Sequence, residues 1–177
     1  MIKKSIKDKI KEYFFLNPTI RLRVRQIERE VKVPLPSVIR YTKELEEEKT
    51  LKSSTIADVK MYSADRTSEH FLLEKKLFNI RQLFSSGLIA SLVEKLSNPT
   101  LVVFGSYSRG EDIEKSDIDI YIGTPSKKKV NLGAFEKILQ RNIQVFIHSN
   151  IHNIKNKELA NNIVNGITLN GFVEVFR

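Results

Sequence analysis

The 177-residue chain contains no cysteine. That excludes a disulfide framework and any thiolate metal site. Its three histidines, His70, His148 and His152, lack the spacing of a zinc site and read as stray surface or core residues. No apolar run approaches the ~20 residues that a membrane-spanning helix needs. The N-terminus carries lysines but no signal-like apolar core, because Asp8, Lys9, Lys11 and Glu12 interrupt it. There is no internal repeat and no low-complexity linker. The expectation is a soluble, cytoplasmic protein of one or two small domains, each able to bury a core.

Hydrophobic residues at 41% and charged residues at 29% make an ordinary globular composition. The net charge of +9 is uneven. Residues 1–66 hold 16 Lys/Arg against 10 Asp/Glu, and residues 67–177 hold 14 against 11. A basic first third points toward a polyanionic partner, although basic solvated surfaces are common.

The stretch Gly105–Ile122, GSYSRGEDIEKSDIDIYI, organises the second part. An apolar run, Leu101–Phe104, reads as a short buried strand before it. A second strand then alternates through Ser116-Asp117-Ile118-Asp119-Ile120-Tyr121-Ile122. Residues two apart on a strand share a face, so Asp117 and Asp119 face one way and the isoleucines the other. Two carboxylates so close repel unless a cation lies between them, and hard oxygen ligands suit magnesium. A helix starting at Ser106 would offer free N–H groups to a phosphate, and Gly105 would let that phosphate approach the backbone. A lone D-x-D also reads as an edge strand with solvated aspartates.

The conjunction is narrower than its parts: strand, Gly-Ser, Arg109-Gly110, then Ser-Asp-x-Asp on an alternating strand. It resembles the signature of the DNA polymerase beta-type nucleotidyltransferases, in their minimal branch. The resemblance covers roughly residues 88–177. It implies that Asp117 and Asp119 hold two magnesium ions against a nucleoside triphosphate, while Gly105 and Ser106 hold its phosphates. Arg109 either steadies phosphate charge or pairs with Glu111 or Asp112. An acceptor oxygen would attack the α-phosphorus and pyrophosphate would leave. The family usually adds a third carboxylate on a later strand, which here reads Arg141-Asn142-Ile143-Gln144-Val145-Phe146-Ile147, with Gln144 in that place. Glutamine cannot act as a base. Glu111, Asp112 and Glu114 are the acids left to substitute. Minimal nucleotidyltransferases often pair with a HEPN-domain ribonuclease as its antitoxin, so such a partner is a further expectation.

The first third predicts helices over Ile2–Leu16, with Ile2, Ile6, Ile10 and Phe14 on one stripe, over Val24–Val31, and over Pro36–Glu48. Thr19–Arg23 reads as a short strand or a basic loop, and Leu51–Met61 as a hairpin bending near Ala57-Asp58. This order is similar to a winged helix-turn-helix. In that likeness Ser37, Arg40, Tyr41 and Lys43 face a DNA groove from the third helix. Lys52 and Lys60 of the wing meet phosphates, with Arg21, Arg23 and Arg25 as further contacts. Winged helices also serve as dimerisation or docking modules, and Glu44, Glu46, Glu47 and Glu48 crowd one end of the reading helix.

A connecting helix over 68–86 carries a wide apolar stripe that would pack domains together or form a homodimer seam. Further helices follow over Leu88–Leu96, Leu132–Leu139 and Lys157–Asn165, with a strand over Ile143–Ile147. Gly166 reads as a helix C-cap and Gly171–Phe176 as a closing strand or tail. The expected architecture is α/β (α+β): a winged-helix domain at 1–66, a connecting helix at 67–87, and a nucleotidyltransferase-like domain at 88–177 with a mixed sheet flanked by helices.

Overall fold

In a computed structural model the structure describes residues 4–176; Ile2, placed above on the first helical stripe, lies outside them. The chain divides into two compact units, residues 1–78 and 79–177. Among the described residues there are eight α-helices and two sheets, one of them mixed, so the α/β expectation holds. No described helix is long and apolar enough to cross a membrane.

The first unit begins with α1 (Ile6–Leu16), whose N-cap Ser5 accepts a hydrogen bond from the Asp8 N–H at 3.1 Å. Asn17-Pro18 ends it. Helix α2 (Val24–Val31) stops at Lys32 in the left-handed region, and α3 (Leu35–Glu47) starts one residue before the expected Pro36. The hairpin of β1 (Leu51–Ile56) and β2 (Val59–Ala64) runs three residues past the expected Met61. Both residues of its bend, Ala57 and Asp58, have positive φ, which the right-handed twist of a tight hairpin requires. Thr19–Arg23 contributes one antiparallel bridge rather than a strand. Leu22 and Tyr62 exchange N–H···O bonds of 2.9 and 2.8 Å.

Ile10, Phe14, Ile27, Val38, Leu45 and Leu51 form the core of this unit, with Phe15 against Phe71 and Phe78 at ring separations of 5.5 and 5.4 Å. Phe71 and Phe78 belong to α4 (Glu69–Ser85), within which the two units divide. The opposite side of α4 leaves Leu73, Leu77 and Phe84 about half exposed.

In the second unit, α5 (Leu88–Lys95) leads into β3 (Thr100–Phe104), a five-residue helix α6 (Gly105–Arg109) and β4 (Ile118–Gly123). Then come α7 (Gly133–Leu139), β5 (Ile143–His148), α8 (Lys157–Val164) and β6 (Ile167–Asn170). The sheet order is β5-β4-β3-β6, with β4 and β5 parallel and the other pairs antiparallel. Alternation splits the sheet between two cores. Leu101, Val103, Ile118, Ile120 and Ile122 meet Leu88, Ile89 and Leu92 on one face. Val102, Phe104 and Tyr121 meet Ile151, Ile154 and Ile163 on the other.

Of the two expectations for Gly171–Phe176 the structure forms the tail, and the closing strand is β6, directly after α8. Asn165 caps α8, not Gly166. Gly166 serves close approach: a Cβ there would lie 2.7 Å from the Val103 carbonyl and from the Val102 side chain. With no side chain at that point, the chain passes from helix into sheet without a loop. It leaves the sheet after Asn170, where the Thr100 hydroxyl donates to the Phe172 carbonyl at 2.9 Å.

Candidate active site

The pairing register sorts one sheet face into rows. Phe104, Asp119 and Gln144 are mutual partners across β3, β4 and β5. The next row toward the middle is Val102, Tyr121 and Phe146, which is core. Asp117 lies just before β4, beyond the first row. Its Oδ1 accepts from the Asn142 side chain at 3.2 Å, and the Ile118 N–H donates to the Asn142 carbonyl at 2.9 Å. The end of the sheet face therefore carries Asp117, Asp119 and Gln144 together. Adjacent strands lie ~4.8 Å apart, so Gln144 is an immediate neighbour of Asp119. Asp117 and Gln144 are exposed and Asp119 is half-buried.

Gly105 closes this end. Its φ of +71° is in the left-handed region, and a Cβ built there would come 2.5 Å from Asp119 Oδ2. The turn between β3 and α6 thus packs bare backbone against a carboxylate. Ser106 follows, half-buried in the first turn of α6. Burial first, and the neighbouring Asp117 charge second, raise the Asp119 carboxyl above the ordinary carboxylate range.

Arg109 ends α6 exposed, with its Nε 2.7 Å from Glu111 Oε2. Of the two expected roles the structure forms the pairing with Glu111. Asp112 is 2% exposed. Its Oδ1 accepts from the Asn79 side chain at 2.7 Å and its Oδ2 lies 4.0 Å from Arg141. Asn79 also donates to the Tyr107 carbonyl at 2.9 Å. Asp112 anchors the turn before β4 and is closed to solvent, so it is a positioning residue rather than a stand-in base. Glu114 lines a cavity of about 470 Å³ with Lys115, Lys137 and Asn142, beside Asp117 on the chain side of Ser116. Among the described residues no group of three His, Cys, Asp or Glu side chains could hold a metal.

Residues 86–168 match the family model described as the nucleotidyltransferase domain. The match runs from α5 through α8 into β6 and takes in Gly105, Ser106, Asp117, Asp119 and Gln144. Neither a curated protein nor a solved structure matches the chain. The nucleotidyltransferase-like unit thus has its Gly-Ser turn and aspartate pair at one end of the sheet, and a glutamine beside them.

In the first unit, α3 buries Val38, Thr42 and Leu45 and leaves Arg40 and Lys43 exposed, with Ser37 and Tyr41 half-buried. The Arg40 guanidinium stacks 4.2 Å from the Tyr41 ring centroid and donates to its hydroxyl. Arg40 and Lys7 engage Glu44 at 3.4 Å each, and Lys7 engages Glu48 at 2.6 Å. Glu46 accepts from Ser53 and from Lys60, the latter at 3.0 Å, which holds its carboxyl below the usual range. Lys60 shares the hairpin face of Tyr62, over whose ring it lies at 4.9 Å. Lys52 pairs with Ser63 and so projects from the opposite face. The two wing lysines proposed to meet DNA, Lys52 and Lys60, therefore lie on opposite faces of the hairpin, and the other four candidates lie on α3.

Proposed function

We propose that the second unit binds a magnesium nucleoside triphosphate and transfers nucleoside monophosphate slowly to a protein, RNA or small-molecule acceptor. The observation that carries this reading is the contact between the bare backbone of Gly105 and the Asp119 carboxylate, next to Asp117. Such a turn excludes side chains where a carboxylate pair needs an incoming group. The residues fit one divalent cation: Asp117 and Asp119 would hold it, and a cation would offset both the burial that chiefly raises Asp119 and the smaller repulsion from Asp117. When bound, magnesium neutralises phosphate charge. Gly105 and Ser106 would lie along the phosphates, and Arg109 would join them by leaving Glu111.

A second ion has less support, because the neighbour of Asp119 on β5 is neutral. The missing carboxylate would also have accepted the acceptor's proton, which is typically worth about 10²–10⁴ in rate. Slow transfer follows. The test is calorimetric titration of each nucleoside triphosphate with and without magnesium, together with radiolabel transfer to the protein, to total RNA and to candidate acceptors. Gln144→Asp is expected to raise transfer with little change in nucleotide affinity. Equal affinity with and without magnesium sinks the two-carboxylate site.

A second reading is a DNA-binding regulator, weakly active or inactive as an enzyme, or an antitoxin partner of a HEPN-type ribonuclease. What favours it is the order α1-α2-α3-hairpin with a third strand-like bridge at Leu22, the arrangement of a winged helix. The pairing of Glu44, Glu46 and Glu48 with Lys7, Arg40 and Lys60 removes part of the repulsion those glutamates would bring to DNA. Arg40→Ala should cost roughly 1–3 kcal/mol on a specific site. Gel shifts across salt concentrations, using DNA upstream of the chain's own gene, test it. Absence of binding at low salt leaves this unit as a docking module.

A further inference from the structure

The outer face of the β1–β2 hairpin carries a cavity that deepens the DNA-binding reading, which offers Lys52 and Arg21 to phosphates without giving them a site. The Leu22–Tyr62 bridge places Arg21 opposite Ser63, and Ser63 pairs with Lys52. Arg21, Ser63 and Lys52 therefore form one row across three backbone segments, pointing away from Tyr62 and the core. Adjacent members are about one strand spacing apart, ~4.8 Å. Below the row the chain turns through Arg66 and Thr67. Together with Thr19 these side chains line a cavity of about 410 Å³.

Three cationic and three hydroxyl-bearing residues line this cavity, and no carboxylate is among the lining residues. Arg21, Lys52 and Arg66 are exposed. Asp65 adjoins the cavity: its Oδ1 lies 3.4 Å from Lys52 and accepts from the Thr67 hydroxyl at 2.8 Å. A hydrogen bond from Thr67 and the Lys52 charge hold the Asp65 carboxyl below the usual range, against its burial. Asp65 lines the neighbouring cavity with Lys49 and His70 instead. Guanidinium groups match phosphate oxygens in bidentate geometry, an ammonium adds charge, and hydroxyls complete the oxygen shell.

We infer that this cavity binds a phosphate group, carried by a nucleic-acid backbone or by a free nucleotide. The volume exceeds that of inorganic phosphate and falls in the range of small-molecule pockets, roughly 300–1,000 Å³. The cavity thus has room for a phosphate with its attached group. The site is separate in chain and chemistry from Asp117 and Asp119. It needs no metal, because protein cations supply the positive charge.

The experiment titrates inorganic phosphate into the full chain at constant ionic strength, followed by amide chemical shifts. The expected result is saturable shifts at Arg21, Ser63, Arg66 and Thr67. Arg66→Ala should weaken them about tenfold, the loss of one charge-assisted contact. Asp65→Asn should tighten binding several-fold by releasing Lys52, and a gain of affinity cannot come from misfolding. The same titration with metal-free ATP and with duplex DNA distinguishes the sources. For backbone phosphate, duplex DNA displaces inorganic phosphate, and Arg66→Ala lowers the salt slope of DNA binding by about one. For a free nucleotide, ATP displaces it and duplex DNA does not. Shifts that scatter over other lysines, or that ignore both Arg66→Ala and Asp65→Asn, overturn the site.

Discussion

Gly105→Ala offers a measurement of how tightly the turn is built onto the aspartate pair. Two costs are separable. The first is backbone: an L-residue held near φ +71° costs about 1–2 kcal/mol, whatever surrounds it. The second is contact: the new methyl would meet Asp119 Oδ2 at 2.5 Å and Asp119 Cγ at 3.5 Å, so the carboxylate or the turn must move. Overpacking of this kind typically adds about 1–3 kcal/mol. Gly105→Ala in the parent should therefore cost roughly 2–5 kcal/mol. In an Asp119→Ala background the carboxylate is gone, the nearest remaining atom is the 3.7 Å Cβ, and only the backbone cost of about 1–2 kcal/mol survives. The double-mutant cycle thus has an expected coupling of about 1–3 kcal/mol. Urea unfolding of the full chain, read from methyl resonances of Ile118 and Ile120 in the second-unit core, provides the values. Equal costs of Gly105→Ala in both backgrounds would falsify the contact, and with it the closed turn on which the nucleotide reading stands.

Three further outcomes follow from the same site. The Asp119 carboxyl is raised, so the folded state binds that proton more tightly than the unfolded chain, and the associated stability is lost as pH rises through the folded value. Asp119→Asn should raise the melting temperature at neutral pH without divalent ions, with the gain vanishing on acidification; a pH-independent difference contradicts this. Asp117→Asn should lower the Asp119 titration only part of the way toward normal, because burial is the larger cause and the Asp117 charge the smaller, as carboxyl-carbon NMR will read. Asp112→Ala leaves the Arg141 side chain, 7% exposed, without its carboxylate and should cost about 3–5 kcal/mol in chemical denaturation. Glu111→Ala breaks only an exposed pair and should cost under about 1 kcal/mol; similar losses for both would refute a structural role for Asp112.

Much of the fold is legible in the sequence because its signals are local. The period-two pattern through Ser116–Ile122 predicts both faces of β4, and Ile118, Ile120 and Ile122 are indeed buried together. Asn17-Pro18 ends α1 by excluding the helical backbone before proline, and α5 stops at Lys95 ahead of the left-handed Ser97 and Asn98 that precede Pro99. That β6 follows α8 directly, with Gly171–Phe176 left as a tail, has an equally physical source. Glycine reads from sequence as a left-handed cap, yet Gly166 is small because β3 passes against it. The two uses of glycine carry the same letter and differ only in what lies opposite. The buried set of Asn79, Asp112 and Arg141 escapes a sequence reading for a related reason, since its members come from three segments, and no spacing connects them.

Pairing register decides what periodicity cannot. Alternation along β4 relates Asp117 to Asp119, but only the parallel pairing of β4 with β5 makes Gln144 the neighbour of Asp119. One residue of slip would turn Ile143 or Val145 toward the carboxylates and remove the glutamine from the site. The same logic separates two lysines that look equivalent in sequence. Lys52 and Lys60 are both exposed hairpin cations, yet they fall on different faces because their partners are Ser63 and Thr55. Tyr62, with Lys60 on its face, looks toward α3, where Glu46 waits. Ser63, with Lys52 on its face, looks outward, and the bridge at Leu22 brings Arg21 into the same row. Charge count alone gives the first unit one basic surface. The register gives it two: one whose Lys60 is already engaged by Glu46 of α3, and one whose cations line a cavity of their own.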